Sequence, residues 1–258
     1  MISVSMEYFQ VMESILSKIH PNEEGFYSLH LDGLRFESAF QPIYDKTMTI
    51  YGVECLVRIF DAQGHSINPG LFFSELSDQL ERFSFAILAA STLHVRNFAK
   101  SNYRDKHLFI NTSPLLFEEL ANNPSAIDHL VGALHYYGLA PSQLIYEIME
   151  MAGDSERLAV NGVQNLLNNQ IRTAIDDFGS HYSTKERVRI IRPAFVKVDK
   201  SIIQAGVSPM QSAIACAHSV NALTIAEGIE DQQTLNQCIE VGFDYFQGYY
   251  LARPTKPM

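Results

Sequence analysis

Residues 144–178 read LIYEIMEMAGDSERLAVNGVQNLLNNQIRTAIDDF, and the fold class turns on this stretch. Residues 144–150 form a short apolar run of strand length. Residues 155–170 suit a helix, and residues 172–178 (RTAIDDF) form a second strand. A strand, a helix and a strand in close succession are the unit of a parallel sheet. Both strands carry acids towards their C-terminal ends: Glu147 in the first, Asp176 with Asp177 in the second.

The same pattern extends in both directions. Strand candidates lie at 36–45, 50–60, 107–113, 195–200, 223–229 and 245–251. With the two above, that makes eight. Helices are predicted over 69–82, 83–102 and 208–221. Another opens on a capping box formed by Ser125 and Asp128 and closes at Gly138. A further one carries Leu235, Cys238 and Ile239 and ends at Gly242. Eight strands alternating with helices predict an α/β fold, a TIM-like β/α barrel. The link Lys46–Thr49 is short enough for a hairpin, so the first strand should run antiparallel to the second. An open doubly wound sheet is the alternative, but no glycine-rich strand-to-helix turn supports it.

Residues 1–35 read as an N-terminal helical extension, and 36–258 as the barrel domain. Phe9, Met12, Ile15, Leu16 and Ile19 recur at helical spacing until His20-Pro21-Asn22 stops the helix, and a loop follows from Pro21 to Gly25. Such a segment caps the barrel bottom or offers a helix to a partner; capping is the commoner outcome.

The 258 residues are 47% hydrophobic and 19% charged, enough for one barrel core. A net charge of −10 argues against binding a nucleic acid polymer, though not against a small anion met by a metal. Cys55, Cys216 and Cys238 form neither a disulfide framework nor a zinc motif. They read as buried, reduced thiols and point to a cytoplasmic location. Neither a signal pattern nor a membrane anchor is visible: the apolar stretch Phe83–Val95 is broken by polar residues and falls short of the ~20 residues a span needs.

The chemistry lies in what interrupts the apolar strands. Glu54, Asn111, Glu147, Asp176, Asp177, Lys197 and Glu227 stand near strand C-termini, with Gln247 in the last strand. In a β/α barrel those ends converge on one mouth. Buried carboxylates cost several kcal/mol each unless cations meet them, and one lysine cannot balance so many. The donors are all oxygens, which favours Mg²⁺ or Mn²⁺ over zinc. Asp176 and Asp177 can both face the mouth only if the strand ends there, as Phe178-Gly179 indicates. One of them can then bridge two ions roughly 3.5–4 Å apart. Arg58 shares a strand face with Glu54 and is placed to grip a phosphate, or to pair with a neighbouring acid. Lys197 is placed to act on the attacking water or on transition-state charge, or to form a structural salt bridge.

These residues, in this order, resemble the EAL domain, a bacterial phosphodiesterase module specific for cyclic di-GMP. The matching stretches are Gln41-Pro42-Ile43, Glu54-Cys55-Leu56-Val57-Arg58, Asn111, Glu147-Ile148-Met149-Glu150, Asp176-Asp177-Phe178-Gly179, Lys197-Val198-Asp199, Ala226-Glu227-Gly228-Ile229-Glu230 and Gln247-Gly248-Tyr249. They run from about Phe36 to Pro254.

The resemblance implies hydrolysis of cyclic di-GMP to linear pGpG with two Mg²⁺ or Mn²⁺ ions. Glu54, Asn111, Glu147, Asp176, Asp177 and Glu227 would hold the metals. Lys197 and Gln247 would position the water, with Glu54 and Asp177 also counted as catalytic. Gln41 and Arg58 would contact substrate, and Glu150 would hold a nearby loop. A homodimer through the face near the Asp-Asp loop is also implied. Three departures stand out: Cys55 for the signature alanine, Ile59 where an aromatic is common, and His181 for a glycine in the loop after Asp177. Ile59 is expected to thin the substrate pocket. The basic run Lys185–Arg192 is a solvated helix face or a site for an acidic partner. The alternative function is an inactive EAL domain that senses cyclic di-GMP or binds a protein. With no sensory or cyclase domain in the sequence, regulation is expected through expression, a regulatory partner or the N-terminal helix.

Overall fold

The computed structural model describes residues 10–112, 117, 119–120, 123–148, 156–179 and 184–258. Its strands, in chain order, are β1 (Ile19–Pro21), β2 (Tyr27–Leu31), β3 (Leu34–Asp45), β4 (Ile50–Phe60), β5 (Ser66–Ile67), β6 (His107–Thr112), β7 (Leu144–Ile148), β8 (Arg172–Phe178), β9 (Phe195–Val198), β10 (Leu223–Ala226) and β11 (Tyr245–Phe246). The helices are α1 (10–16), α2 (Pro69–Glu75), α3 (Leu80–Lys100), α4 (Pro124–Tyr136), α5 (Glu156–Asn168), α6 (Lys185–Ile191), α7 (Lys200–Gln204), α8 (Val207–His218) and α9 (Gln232–Val241).

Strand β3 pairs with β4 on one side and β11 on the other, which closes β3, β4 and β6 to β11 into a barrel. β3 is antiparallel to both neighbours, and the other barrel pairs are parallel. All eight expected strands are therefore present. The expected hairpin is built on Asp45, whose Oδ1 accepts from the Thr47 and Thr49 backbone N–H groups at 2.8 and 3.0 Å. Met48 completes the turn at a φ of 60°.

Several strands end earlier than expected. Asp199 leaves β9 to cap α7, accepting from the Ser201 N–H at 2.8 Å. β10 stops before Gly228, which takes a φ of 65°. β11 has two residues because Gly248 turns the chain against the Ile229 backbone. The capping box at Ser125 is not the start of its helix: Pro124, which has no N–H to satisfy, already opens α4, and the Asn123 side chain accepts from the Ser125 N–H.

Among its described residues, the N-terminal segment is helical only over 10–16, and these residues do not cap the bottom. α1 ends at residue 16, and Ile19 enters β1 opposite Leu29 of β2. β2 then pairs with the start of β3, Leu29 against Phe36. The start of β3 lies beside the end of β4, so the extension flanks the mouth. Hydrogen-bond demand explains the position. β3 is far longer than β11, so its upper edge needs other partners. Phe40 exchanges both backbone hydrogen bonds with Thr255, and residues 34–36 take β2.

Ile15, Ile19 and Leu29 are buried with Phe36, Ile59 and the α3 residues Ala86, Ala89 and Leu93. Fully burying Ile15 and Leu29 contributes about 1.5–3 kcal/mol each. Asn97 of α3 fastens this layer. Its Oδ1 accepts from Tyr27 N–H at 2.8 Å, and its Nδ2 donates to Tyr27 C=O and Ser38 Oγ at 3.0 Å. Ile59 belongs to this outer cluster and does not thin the mouth: odd-numbered β4 residues face outward, away from the side that carries Glu54.

The barrel interior is layered. Ile43, Phe109, Ile145, Ala174, Phe195 and Ile225 form a buried apolar floor. Each lies two residues from a site residue along its own chain segment: Gln41, Asn111, Glu147, Asp176, Lys197 and, one residue past the end of β10, Glu227. A period of two in a strand places those residues one layer above the floor, on the same inward side. Cys55, Cys216 and Cys238 are free and buried. No helix among the described residues is long and apolar enough to cross a membrane.

Candidate active site

Lys197 is the centre of the upper layer. It is 1% exposed, and its Nζ lies 2.9 Å from carboxylate oxygens of Glu147, Asp176 and Glu227 and 3.5 Å from Glu54. Gln247 Nε2 donates to Glu54 Oε2 at 2.7 Å, the same oxygen that lies nearest Lys197. Four strands thus bring acids to one ammonium.

Burial alone would push the Lys197 ammonium down; Asp176, Glu147, Glu227 and Glu54 overcome it and hold the group well above its ordinary value. Burial holds the Glu147 carboxyl well above the usual range against the pull of Lys197. The same balance lifts Glu227 to about 8.

The paired aspartates sit in an irregular strand end, as expected. The β8–β9 register shifts between Ile175 and Phe178. Asp177 takes a left-handed φ of 48°, and Gly179 follows at 111°. A Cβ on Gly179 would lie 2.3 Å from Ile202 Cγ1, so the turn is tightly seated. As a result Asp176, Asp177 and Glu227 offer carboxylate oxygens within 4.8 Å of one another.

Two further atoms bear on what the ring can hold. Glu147 Oε2 and Gln247 Oε1 are buried with no hydrogen-bond donor among the described residues. Both are acceptors, and leaving them bare is costly. A hard cation and its bound water meet that demand, and the oxygen-only donor set fits one.

The remaining candidates spread over the rim. Asn111 is the register partner of Glu147. Gln41 lies across from Glu54, and its Nε2 donates to the Ala252 carbonyl at 3.1 Å. Arg58 donates to the Val57 carbonyl at 3.1 Å, while its cross-strand neighbour Glu37 is ion-paired with Arg35. Arg58 and Asn111 line a pocket of about 460 Å³ with Leu56, Phe73, Ser91 and His94. Glu150 and His181 lie outside the described residues.

His94 was not singled out from sequence. Its Nδ1 is 2.8 Å from Ser38 Oγ, and burial, with the Arg58 charge second, lowers it to about 3. The available signal was a histidine inside the apolar stretch Phe83–Val95. The basic run forms α6 with Val188 and Ile191 buried and Lys185, Arg189 and the capping Arg192 exposed, the pattern of a solvated helix face.

The EAL domain family model matches residues 28–254. The chain belongs to the EAL domain family. Among curated relatives it is 25% identical over 227 residues to oxygen sensor protein DosP of Escherichia coli (strain K12), covering 83% of this chain and 28% of the relative. It is 25% identical over 237 residues to cyclic di-GMP phosphodiesterase RocR of Pseudomonas aeruginosa, covering 87% of this chain and 58% of RocR. The first three relatives are spanned over only 28%, 36% and 30% of their own lengths. Among solved structures, a standalone EAL protein from Vibrio cholerae in its c-di-GMP-bound form aligns with a TM-score of 0.72 at 26% identity. The alignment covers 87% of this chain and 94% of that one.

Proposed function

We propose that this chain is a metal-dependent phosphodiesterase that hydrolyses cyclic di-GMP to linear pGpG. The observation that carries the reading is the ring itself. Glu54, Glu147, Asp176 and Glu227 converge on one point, with Asp177 turned towards the same mouth by its backbone. The similarity to RocR, a cyclic di-GMP phosphodiesterase, supports the choice of substrate.

Glu54, Asn111, Glu147, Asp176, Asp177 and Glu227 would hold two Mg²⁺ or Mn²⁺ ions. Such ions, when bound, supply an activated water and stabilise phosphoryl charge. Asp176, Asp177 and Glu227 are the closest-set trio for that purpose. Gln247, fixed to Glu54, presents its bare Oε1 to orient a water proton. Lys197 supplies positive charge where negative charge grows on the phosphate. Water attacks phosphorus, the bond to the ribose 3′ oxygen breaks, and that oxygen takes a proton. Arg58 would reach the phosphate from the rim, with Gln41 beside it. The pocket next to Arg58, walled by Leu56 and Phe73, has the size and apolar character to take a planar base.

The competing reading is a binding module without hydrolysis. No site residue among those described has been lost, which favours catalysis. Incubation with cyclic di-GMP and Mn²⁺ or Mg²⁺, followed by chromatography, should yield pGpG. Glu54→Ala should reduce turnover by at least 10²-fold, since it removes both a ligand and the Gln247 anchor. Nucleotide binding without pGpG under either metal would refute the enzyme and favour the sensor.

A further inference from the structure

We propose that Lys197 is the resident counter-charge of the mouth, and that it and divalent cations stabilise one and the same ring of carboxylates. The inference rests on the metal reading above. An ammonium has three N–H groups. Lys197 spends all of its polar capacity on acids: three carboxylates at 2.9 Å and a fourth at 3.5 Å. Its side chain is 1% exposed and that of Glu147 0%, so water contributes little to either. The ring would otherwise be a set of like charges in a low-dielectric interior, where repulsion is strongest. Lys197 therefore does more than serve the chemistry: it is the cation in the described ion pairs of Glu147 and Glu227, and it also reaches Asp176 and Glu54. The same oxygens would serve the ions. A chain that lacks Lys197 should then draw on those ions to stay folded, because a ligand that binds only the native state stabilises it.

Thermal unfolding of the full chain, in chelator and in Mn²⁺, tests this. Lys197→Met keeps the length and removes the charge. In chelator its Tm should fall by ~10 °C, the scale for a buried pair that has lost one partner. Mn²⁺ should recover most of that loss, and the Mn²⁺-induced rise should exceed the wild-type rise. In a second arm, Glu147→Gln should cost much less in the Lys197→Met background than in the wild type, because the charge it removes there is already unpaired. Three results would overturn the proposal: a Lys197→Met Tm within ~2 °C of wild type in chelator, a variant that no divalent cation restores, or additive effects of the two substitutions. A wild-type protein whose Tm ignores Mn²⁺ would instead overturn the metal reading, and the shared-ring half of this proposal with it; a persistent Lys197–Glu147 coupling would still uphold the counter-charge.

Discussion

Gly248→Ala should damage turnover without touching a site residue. A Cβ at this position would lie 2.1 Å from the Ile229 carbonyl oxygen and 2.2 Å from its nitrogen. Ordinary contact starts near 3.4 Å, so the two backbones must part by about 1.3 Å. They are not free to do so. Ile229 N–H donates to the Gln247 carbonyl at 3.1 Å, and Tyr250 N–H donates to the Ile229 carbonyl at 3.0 Å. Moving Gln247 by the same amount stretches its 2.7 Å bond to Glu54 to about 4 Å, which is no longer a hydrogen bond. Overpacking of this kind costs about 1–3 kcal/mol, and each lost backbone bond about 1 more. For a chain of this length that lowers Tm by ~10 °C. An ångström of misplacement at a water-orienting group costs about 10²-fold in rate. The assay is pGpG formation at saturating cyclic di-GMP and Mn²⁺, run well below the variant's Tm. Gly242→Ala is the control: its Cβ meets nothing within 4 Å, so only the φ of 109° is strained. That variant should lose about 1 kcal/mol of stability and no activity. A Gly248→Ala enzyme with turnover within about twofold of wild type would refute the link from Gly248 through Gln247 to the mouth.

Two further predictions concern the flank of the barrel. His94 titrates near 3 in the folded chain, below its ordinary 6.5, so on acidification the unfolded chain takes up the proton first. Stability should therefore fall as pH drops from 6.5 towards 3, by up to ~1.4 kcal/mol per pH unit from this group. His94→Asn, which keeps a partner for Ser38, should flatten the Tm–pH slope between pH 7 and 5; parallel slopes for the two proteins would contradict the assignment. Asn97→Leu strands the Tyr27 N–H and C=O and loosens Ser38, so it should cost ~2–4 kcal/mol in a urea melt. A change under ~0.5 kcal/mol would mean that the N-terminal hairpin is not fastened to α3 in this way.

The layer of candidate site residues was legible because strand geometry is periodic. Once residues 109, 145, 174, 195 and 225 are read as one inward apolar row, the positions two further on must form the next row up. The antiparallel β3 obeys the same rule in reverse, which is why Gln41 precedes Ile43. The hairpin at 46–49 was legible for a similar reason: a link that short admits only one connection. The N-terminal segment was not. Its helical spacing is real over residues 10–16, but Ile19 is claimed by a strand because the long β3 leaves an upper edge to be satisfied. No local pattern in residues 1–35 carries that information; it resides in the shortness of β11, more than two hundred residues away. The cap of α4 was misread for a smaller reason: Pro124 moves the helix start upstream of the serine that mimics a cap.

Residue identity also left the role of Lys197 open between acting on water, stabilising charge and making a salt bridge. The distances make these one property rather than three. An ammonium held at 2.9 Å by three carboxylates is kept protonated by them, and so is poorly suited to take a proton from water. In the proposed hydrolysis it would instead remain a fixed positive charge while negative charge grows on the phosphate. The structural salt bridge and the electrostatic role would therefore be the same interaction seen before and during that proposed reaction. The acceptor of a water proton in the proposed hydrolysis would then lie on the carboxylate side of the mouth, where Asp176, Asp177 and Glu227 offer oxygens within 4.8 Å of one another. On this account Lys197→Arg should keep the charge but misfit a ring built around a compact ammonium, and lose turnover through geometry rather than through a shifted pH optimum. An acid-shifted or base-shifted pH–rate profile in that variant, with the maximal rate preserved, would show instead that Lys197 is the proton acceptor.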